Sequence, residues 1–159
     1  MPHSISMPSP LGQLVITSDG NAIARVDFSD AHIEEEISTP VLDAARVQLE
    51  EYFRGERTEF ELELAPQCTD FEKRVWSELL KIPFGETRSY MEVANALHSP
   101  KAVRAVGGAN GRNPIAIIVP CHRVIGADGS LTGYGGGIHR KHWLLELEAK
   151  TSGSKLSLF

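Results

Sequence analysis

The side chains best able to do covalent chemistry are gathered around Cys121. This residue follows the apolar run Ile115–Val119 and Pro120, and His122 and Arg123 come directly after it. The proline removes a backbone donor and favours a change of chain direction. A thiol reacts as its thiolate, and neighbouring cationic side chains stabilise that charge. Most free cysteines are inert core residues, but this setting predicts a nucleophile at position 121.

A thiol nucleophile also needs a base and a group that orients the base. His122 is the candidate base, although neighbouring residues of an extended chain point to opposite faces. Direct contact would need a tight turn, and a bridging water is the simpler relay. Glu146 and Glu148, in the last predicted helix, are both candidates to orient the ring, and spacing does not decide between them. Cys68 has no such neighbours and is predicted to be structural.

Length and composition set the class of protein. The chain has 159 residues, 42% of them hydrophobic and 23% charged, which fits one soluble domain or two small lobes. No run of about 18 apolar residues is present, so no membrane span is predicted. The first residues lack a basic start and a continuous apolar stretch, so a secretory signal is not expected. Two cysteines form no disulfide framework, which indicates a reducing compartment, and the compact chain suits a prokaryotic cytoplasm.

Charge is unevenly distributed along the chain. Residues 1–68 hold 4 basic and 13 acidic side chains, whereas residues 69–150 hold 11 and 8. Five cations and a single acid, Glu92, lie between Arg88 and Arg123. A basic segment of this kind can bind phosphate even though the net charge is −5. Attraction between an acidic and a basic lobe explains the same pattern equally well.

The N-terminal part reads as strands followed by a helix. A hairpin turn signal at 18–21 separates two predicted strands, 13–17 and 22–28. Thr39-Pro40 predicts a helix start, and apolar residues at helical spacing continue to Gly55. Alternating apolar and acidic residues predict a half-exposed strand over Thr58–Leu64.

The C-terminal part reads as mostly helical. Thr69–Glu72 and Ser89–Glu92 are capping boxes, each of which predicts a helix start. Ser99-Pro100 is predicted to cap a further helix that runs to about Ala109, so residues 89–109 form a helix-turn-helix.

The remaining C-terminal elements surround a glycine-rich loop. An Asp-Gly pair predicts a second hairpin within Val124–Leu131. Gly135–Gly137 forms a loop that would let a flat ligand approach the backbone. His139–Lys150 is the last predicted helix, with Trp143 and Leu147 on one face.

The cysteine block and its flanks resemble one protein family. Pro120–Val124, preceded by Asn113-Pro114 and followed by Tyr134–Gly136 and Trp143–Leu145, is similar to the O6-alkylguanine-DNA alkyltransferases. The resemblance is close over residues 69–148. It implies an α+β fold, with a small N-terminal α/β lobe of ribonuclease H-like layout and a mainly helical C-terminal lobe that carries the helix-turn-helix. We expect the lobes to span 1–66 and 67–150, with a flexible tail at 151–159.

The resemblance implies direct and irreversible transfer of an alkyl group from O6 of guanine, and more weakly from O4 of thymine, to Cys121. His122 would deprotonate the thiol through a water, and Glu148 would orient His122. Asn113 would hold the turns around the site, and Tyr90 would donate a proton toward guanine N3. The chemistry is consistent, because a thiolate suits a soft alkyl carbon. The thioether formed does not hydrolyse, so each molecule would react once.

The resemblance also implies binding to double-stranded DNA in the minor groove, without sequence preference and with the target nucleotide flipped out. Arg104 would fill the gap, and Arg123 would be a structural tie. The expected DNA-binding residues are Ser89, Tyr90, Arg104, Ala105, Gly107 and Arg112. The expected alkylguanine pocket is lined by Tyr90, Val124, Tyr134 and Gly135. No metal-ligand spacing or nucleotide-binding glycine motif is present, so no metal or cofactor is predicted, and a monomer is expected.

Three other functions fit parts of the pattern. Cys121, His122 and Glu148 could form the triad of a cysteine hydrolase, but adjacent Cys and His residues seldom have the required geometry. A non-catalytic binder of damaged DNA would have lost the acceptor cysteine. A helix-turn-helix regulator would carry long polar side chains on its recognition helix, which this sequence lacks.

Overall fold

The computed structural model describes residues 3–132 and 134–153, which divide into two units. The first unit extends to Gln67 and also contains Pro114–Ile118, and the second contains Cys68–Asn113 and the chain from Val119 onward. Residues 67–150 were predicted to form one lobe, whereas the structure places 114–118 in the first unit. The α+β class is confirmed. Among the described residues, no helix is long and apolar enough to cross a membrane.

The first unit is built on a three-stranded antiparallel sheet in the order β1-β2-β3. Its strands are β1 (His3–Met7), β2 (Leu14–Ser18) and β3 (Ile23–Phe28), and the predicted hairpin joins the last two. Strand β1 was not predicted, because its two serines weaken the apolar pattern. Helix α1 (Pro40–Phe53) starts as predicted, with the Thr39 side chain accepting from the Leu42 N–H.

The predicted strand at Thr58–Leu64 is wrong. Only Leu64 forms a bridge, pairing in parallel with Ile23 of β3. The backbone of Glu61 is instead satisfied by one buried side chain, since the Gln48 amide accepts from its N–H at 2.8 Å and donates to its C=O at 3.2 Å. The Gln48 side chain therefore makes the two hydrogen bonds that a neighbouring strand would otherwise make. Alternation of apolar and polar residues does not predict such a contact.

The segment Pro114–Ile118 is held on the outer edge of β3. Val26 N donates to Pro114 O at 2.9 Å, and Ala116 N donates to Val26 O at 3.1 Å. Ile117 then adopts φ +71°, and Ile118 N donates to Ala116 O, which closes a γ-turn. A β-branched residue is strained in this conformation, and the complete burial of Ile117 compensates for the strain.

The described part of the second unit carries four α-helices and two very short strands. Both capping boxes are present, at Thr69 and at Ser89, as predicted. The two strands pair in parallel. The elements are α2 (Asp70–Leu79), β4 (Arg88–Ser89), α3 (Tyr90–Ala96), α4 (Val103–Gly111), β5 (Val124–Ile125) and α5 (Ile138–Ser152).

Helices α3 and α4 form the predicted helix-turn-helix, but the turn differs in detail. His98 has φ +57° and reverses the chain after α3. The Ser99 hydroxyl donates to Leu97 O and makes no helix cap, and a 3-10 turn at Pro100–Ala102 precedes α4. Ser99 has ψ 65°, whereas the capping residue Thr39 is extended with ψ 164°, so Ser99 lacks the backbone conformation of a helix cap.

Two further predictions near the C-terminus are wrong. The Asp-Gly signal makes a turn, with Gly126 N donating to Ser130 O at 2.8 Å, but β5 pairs with β4 and no antiparallel hairpin forms among the described residues. Helix α5 runs to Ser152, so the expected tail cannot start at 151. The rest of that predicted tail, from residue 154 onward, lies outside the described residues.

Candidate active site and nucleic-acid interface

Cys121 is presented by two successive tight turns. Pro120 has φ −82° and ψ 61°, and Cys121 N donates to Val119 O at 2.8 Å. Cys121–Arg123 then forms one 3-10 turn, so the chain is not extended here as the simplest sequence argument assumed. The Cys121 side chain is free and only 4% exposed. Cys68, which was predicted to be structural, is a free and exposed cysteine.

His122 is held by Glu148. Its Nε2 lies 2.6 Å from Glu148 Oε2, and both side chains are fully buried. Burial lowers the pKa of His122 more than Glu148 raises it, so the ring is neutral at pH 7. The carboxylate can only accept, so Nε2 carries the proton and Nδ1 keeps its lone pair. Nδ1 is buried and has no hydrogen-bond partner among the described residues.

Glu148 is shared between His122 and Arg123. Arg123 donates to both carboxylate oxygens, at 2.7 and 3.0 Å, and to Ile82 O at 2.7 Å. Burial opposes ionisation of Glu148, yet these partners hold the pKa of its carboxyl well below its ordinary value. We assign most of that effect to Arg123, because a neutral His122 supplies no charge. Glu146, the other candidate, is exposed and lies 3.6 Å from His142.

The thiol is not activated in the way that the sequence suggested. Burial raises the pKa of Cys121 to about 11, while a hydrogen bond from Asn113 and the charge of Lys141 act in the opposite direction. Arg123, expected to stabilise the thiolate, is neutralised by Glu148. The neutral ring of His122 carries no stabilising charge either.

Lys141 is the functional residue that sequence reasoning missed. Its side chain is completely buried in α5, and Nζ donates to Val124 O at 2.5 Å and to Thr132 O at 2.6 Å. Burial lowers its pKa to about 8. The signal was its spacing from Glu148, which places both charged residues on one face of a helix. That face, completed by Leu144 and Leu145, is the buried one, whereas the predicted Trp143 and Leu147 are only half-buried.

The aromatic residues predicted for the pocket lie in the same unit. The Tyr90 hydroxyl donates to Thr132 O at 2.7 Å, and its ring centroid is 5.8 Å from Lys141 Nζ. Burial raises the pKa of both Tyr90 and Tyr134. The Tyr134 hydroxyl is buried without a partner among the described residues, which leaves it free to bind a ligand group. Val124 is buried in β5.

Gly135 and Asn113, two further predicted site residues, are constrained in different ways. Gly135 is exposed, but a Cβ built there would lie 3.2 Å from Gly111 O, so a side chain would strain this approach. Asn113 donates from Nδ2 to Val119 O at 2.8 Å and also bonds the Cys121 thiol. It therefore ties the segment before the cysteine to the end of the helix-turn-helix.

The predicted DNA-binding residues cluster on α4 and at its two neighbours. Arg104 and Ala105 are exposed on α4, and Gly107 faces the Tyr90 ring at a distance that a Cβ would fill. Ser89 caps α3 and is partly exposed. Arg112 is 61% exposed and donates to Glu72 at 2.8 Å. Among the described residues, no group of three His, Cys, Asp or Glu side chains could hold a metal ion.

Comparison with known proteins identifies the family. Residues 3–66 match the 6-O-methylguanine DNA methyltransferase ribonuclease-like domain, and residues 70–150 match the DNA binding domain of the same family. The methylated-DNA–protein-cysteine methyltransferase of Mycobacterium bovis is 51% identical over 164 residues, which cover 100% of this chain and 99% of that protein. The protein of the same name from Methanosarcina barkeri is 48% identical over 147 residues, covering 88% and 92%.

Solved structures agree with the sequence matches. The crystal structure of Mycobacterium tuberculosis O6-methylguanine methyltransferase has a TM-score of 0.87 at 49% identity and covers 100% of this chain and 99% of its own. The Mycobacterium tuberculosis OGT in complex with DNA has a TM-score of 0.86 at 50% identity, with 94% of each chain covered. This chain therefore belongs to the 6-O-methylguanine DNA methyltransferase family.

Proposed function

We propose that this protein repairs alkylated DNA by moving the alkyl group from O6 of guanine to Cys121, once per molecule. The observation that carries the proposal is the Glu148–His122 hydrogen bond, which leaves a buried, unpaired Nδ1 on the residue that follows the buried Cys121. The relatives' name, methylated-DNA–protein-cysteine methyltransferase, supports the same reaction. In it, the Sγ–C bond forms as the C–O6 bond breaks, and guanine gains the proton that the thiol loses.

His122 acts as the base for the thiol. With a thiol pKa of about 11, very little thiolate exists at pH 7, so a proton acceptor must act during the reaction. Nδ1 accepts the proton through a water, and Glu148 stabilises the imidazolium that results. Lys141 supplies the positive field that the developing thiolate needs. Asn113 adds a hydrogen bond to the sulfur.

Tyr90 serves the leaving base. Its hydroxyl is held by Thr132 O, the carbonyl that also accepts from Lys141. Burial raises the pKa of Tyr90, so its hydroxyl keeps its proton at pH 7 and can donate it toward N3 as guanine leaves. Tyr134, Val124 and the backbone of Gly135 line the pocket that holds the base.

The DNA binds across α4 in the minor groove, without sequence preference. The exposed face of this helix carries Arg104 beside small residues, which permit close approach to the sugar-phosphate backbone. A thiol that is 4% exposed cannot reach a base inside the duplex, so the nucleotide is flipped out at a cost of a few kcal/mol. Arg104 fills the gap, with Arg112 and Ser89 on the flanking backbone. The excess of basic residues over 69–150 supports binding to the phosphates of DNA. We expect the protein to be a monomer in the cytoplasm.

The test is intact-mass measurement after incubation with duplex DNA that carries O6-methylguanine. We expect one added methyl group per molecule, mapped to Cys121 by peptide fragmentation. Cys121→Ala should bind the duplex and remain unlabelled. Cys68→Ala is the matched control, because this exposed cysteine should contribute nothing. Labelling at Cys68, or none in the wild-type protein, would contradict the proposal. Repeated turnover of a chromogenic ester would favour a hydrolase.

A further inference from the structure

Asn110 is a buried polar residue in the last turn of α4. Its side chain is 1% exposed, and Nδ2 donates to the backbone oxygen of Cys121 at 3.2 Å. Its Oδ1 is buried without a hydrogen-bond partner among the described residues. An unpaired buried amide oxygen carries a free-energy cost, so packing alone does not favour asparagine at this position. The hydrogen bond to the Cys121 carbonyl is the interaction that offsets this cost.

The backbone of Cys121 is bound on both sides of its Cα. On one side its N–H donates to Val119 O at 2.8 Å. On the other side its carbonyl accepts from Val124 N and from Asn110. Fixing both flanking peptide groups fixes the direction of the Cα–Cβ bond, and so the arc on which the sulfur can lie.

Asn110 belongs to the helix that presents the DNA-facing residues. Trp76 Nε1 donates to the neighbouring Ala109 O at 3.2 Å, which fixes the end of α4 on α2. The same helix exposes Arg104 two turns earlier. We propose that Asn110 is a positioning residue that holds the Cys121 carbonyl on α4, so that the thiol is aimed at the alkyl carbon of a nucleotide flipped over that helix. This rests on the proposed function of Cys121.

Asn110 and Asn113 act on different parts of the same turn. Asn113 binds Val119 O and the sulfur itself, so it affects the ionisation of the thiol. Asn110 binds only the peptide group that follows the cysteine. Loss of the Asn110 amide should therefore misdirect the thiol and leave its pKa unchanged. Attack on carbon depends steeply on alignment, and a displacement of about 1 Å can cost about a hundredfold in rate.

The test compares Asn110→Leu with the wild-type protein in two reactions of the same sulfur. The first is single-turnover methyl transfer from O6-methylguanine duplex, which requires alignment. The second is alkylation by iodoacetamide across a range of pH, which requires only ionisation and access. We expect methyl transfer to slow by about tenfold or more, while the pH midpoint of iodoacetamide alkylation does not move. Asn95→Leu, at an exposed position of α3, is the matched control and should behave as wild type.

Equal methyl-transfer rates for Asn110→Leu and wild type would overturn the inference. So would faster iodoacetamide alkylation with a lower pH midpoint, because a general loss of folded structure exposes the thiol and returns its pKa toward the ordinary value. If Asn110→Leu does not fold, Asn110→Ser takes its place, because its hydroxyl is too short to reach the carbonyl. Failure of the wild-type protein to become labelled contradicts the proposed function itself, and is read before either variant is compared.

Discussion

Replacement of Glu148 by glutamine should destabilise the protein as well as slow its reaction. Glu148 is fully buried and accepts four hydrogen bonds, from His122, twice from Arg123, and from Gly85 N at 3.2 Å. An amide in its place cannot neutralise Arg123, whose side chain is only 7% exposed. Removing one partner of a buried ion pair costs about 3–5 kcal/mol. For a protein of this size, that corresponds to a fall in Tm of about 6–20 °C.

The pH dependence separates this effect from a general packing defect. In the folded protein the pKa of Glu148 is held below its ordinary value of 4.5, so the unfolded chain binds the proton more readily. The stabilisation is therefore complete above about pH 4.5 and is lost as pH falls through the folded-state value. The difference in Tm between wild type and Glu148→Gln should be constant from pH 8 to about pH 5. It should narrow below about pH 4.

Thermal unfolding followed by circular dichroism, from pH 3 to pH 8, is the assay. Glu146→Gln is the matched control, because Glu146 lies on the same helix but is exposed, and we expect a change within about 0.5 kcal/mol. Methyl transfer is then measured well below both Tm values, where the loss of the oriented base should slow it by about tenfold or more. A Tm within about 2 °C of wild type at pH 7 would refute the ion-pair assignment. An unchanged transfer rate would refute the relay.

Four other predictions address the remaining parts of the site. Lys141→Met should raise the pKa of the Cys121 thiol above about 11, so that less thiolate is present. Iodoacetamide alkylation at pH 7 should then slow by about tenfold. An unchanged rate would count against Lys141 as the activating cation. Tyr90→Phe should slow methyl transfer about tenfold or more without weakening binding of DNA, and a full rate would remove its role as proton donor. Arg104→Ala should slow transfer from duplex DNA more than transfer from the free O6-alkylguanine base, and equal losses would argue against a role in flipping. Binding to DNA should weaken as salt rises, with a linear dependence of log affinity on log salt, and a flat dependence would exclude phosphate contacts.

Signals that are local in the sequence predicted the structure well. Thr39-Pro40, Thr69–Glu72 and Ser89–Glu92 each start a helix because side chain and backbone donors a few residues apart satisfy one another. The helix-turn-helix followed from the same signals. Such patterns succeed because both partners lie within one turn of each other, so no distant contact is needed to complete them.

Partners that are distant in the sequence were the ones missed. Glu61 bonds Gln48 rather than a strand, and β5 pairs with β4 rather than with the residues after its own turn. The Asp128-Gly129 pair predicts the turn but not which strand pairs with β5. A strand's partner depends on which edge is left open elsewhere in the unit, and local sequence does not specify that edge.

Helix α5 shows how a helix face that is both charged and buried escapes a prediction based on hydrophobicity. Its buried residues are Lys141, Leu144, Leu145 and Glu148, so half of the inward face is charged. An amphipathic reading assigns such residues to solvent. Glu148 can be buried because it accepts from Arg123, and Lys141 can be buried because it donates to backbone carbonyls. These partners belong to segments distant from α5 in the sequence.

The raised thiol pKa is consistent with a protein that can react only once. With a pKa of about 11, Cys121 is ionised to about one part in ten thousand at pH 7, and it is nearly buried. Small electrophiles therefore meet an unreactive thiol. The groups that favour ionisation, His122 Nδ1 and Lys141, are already in place, and neither is exposed to solvent. Reactivity then depends on a substrate that fills the pocket and excludes bulk water from it. Burial would slow an enzyme that turns over. Here it keeps the Cys121 thiol from reacting with small electrophiles before it meets an alkylated base.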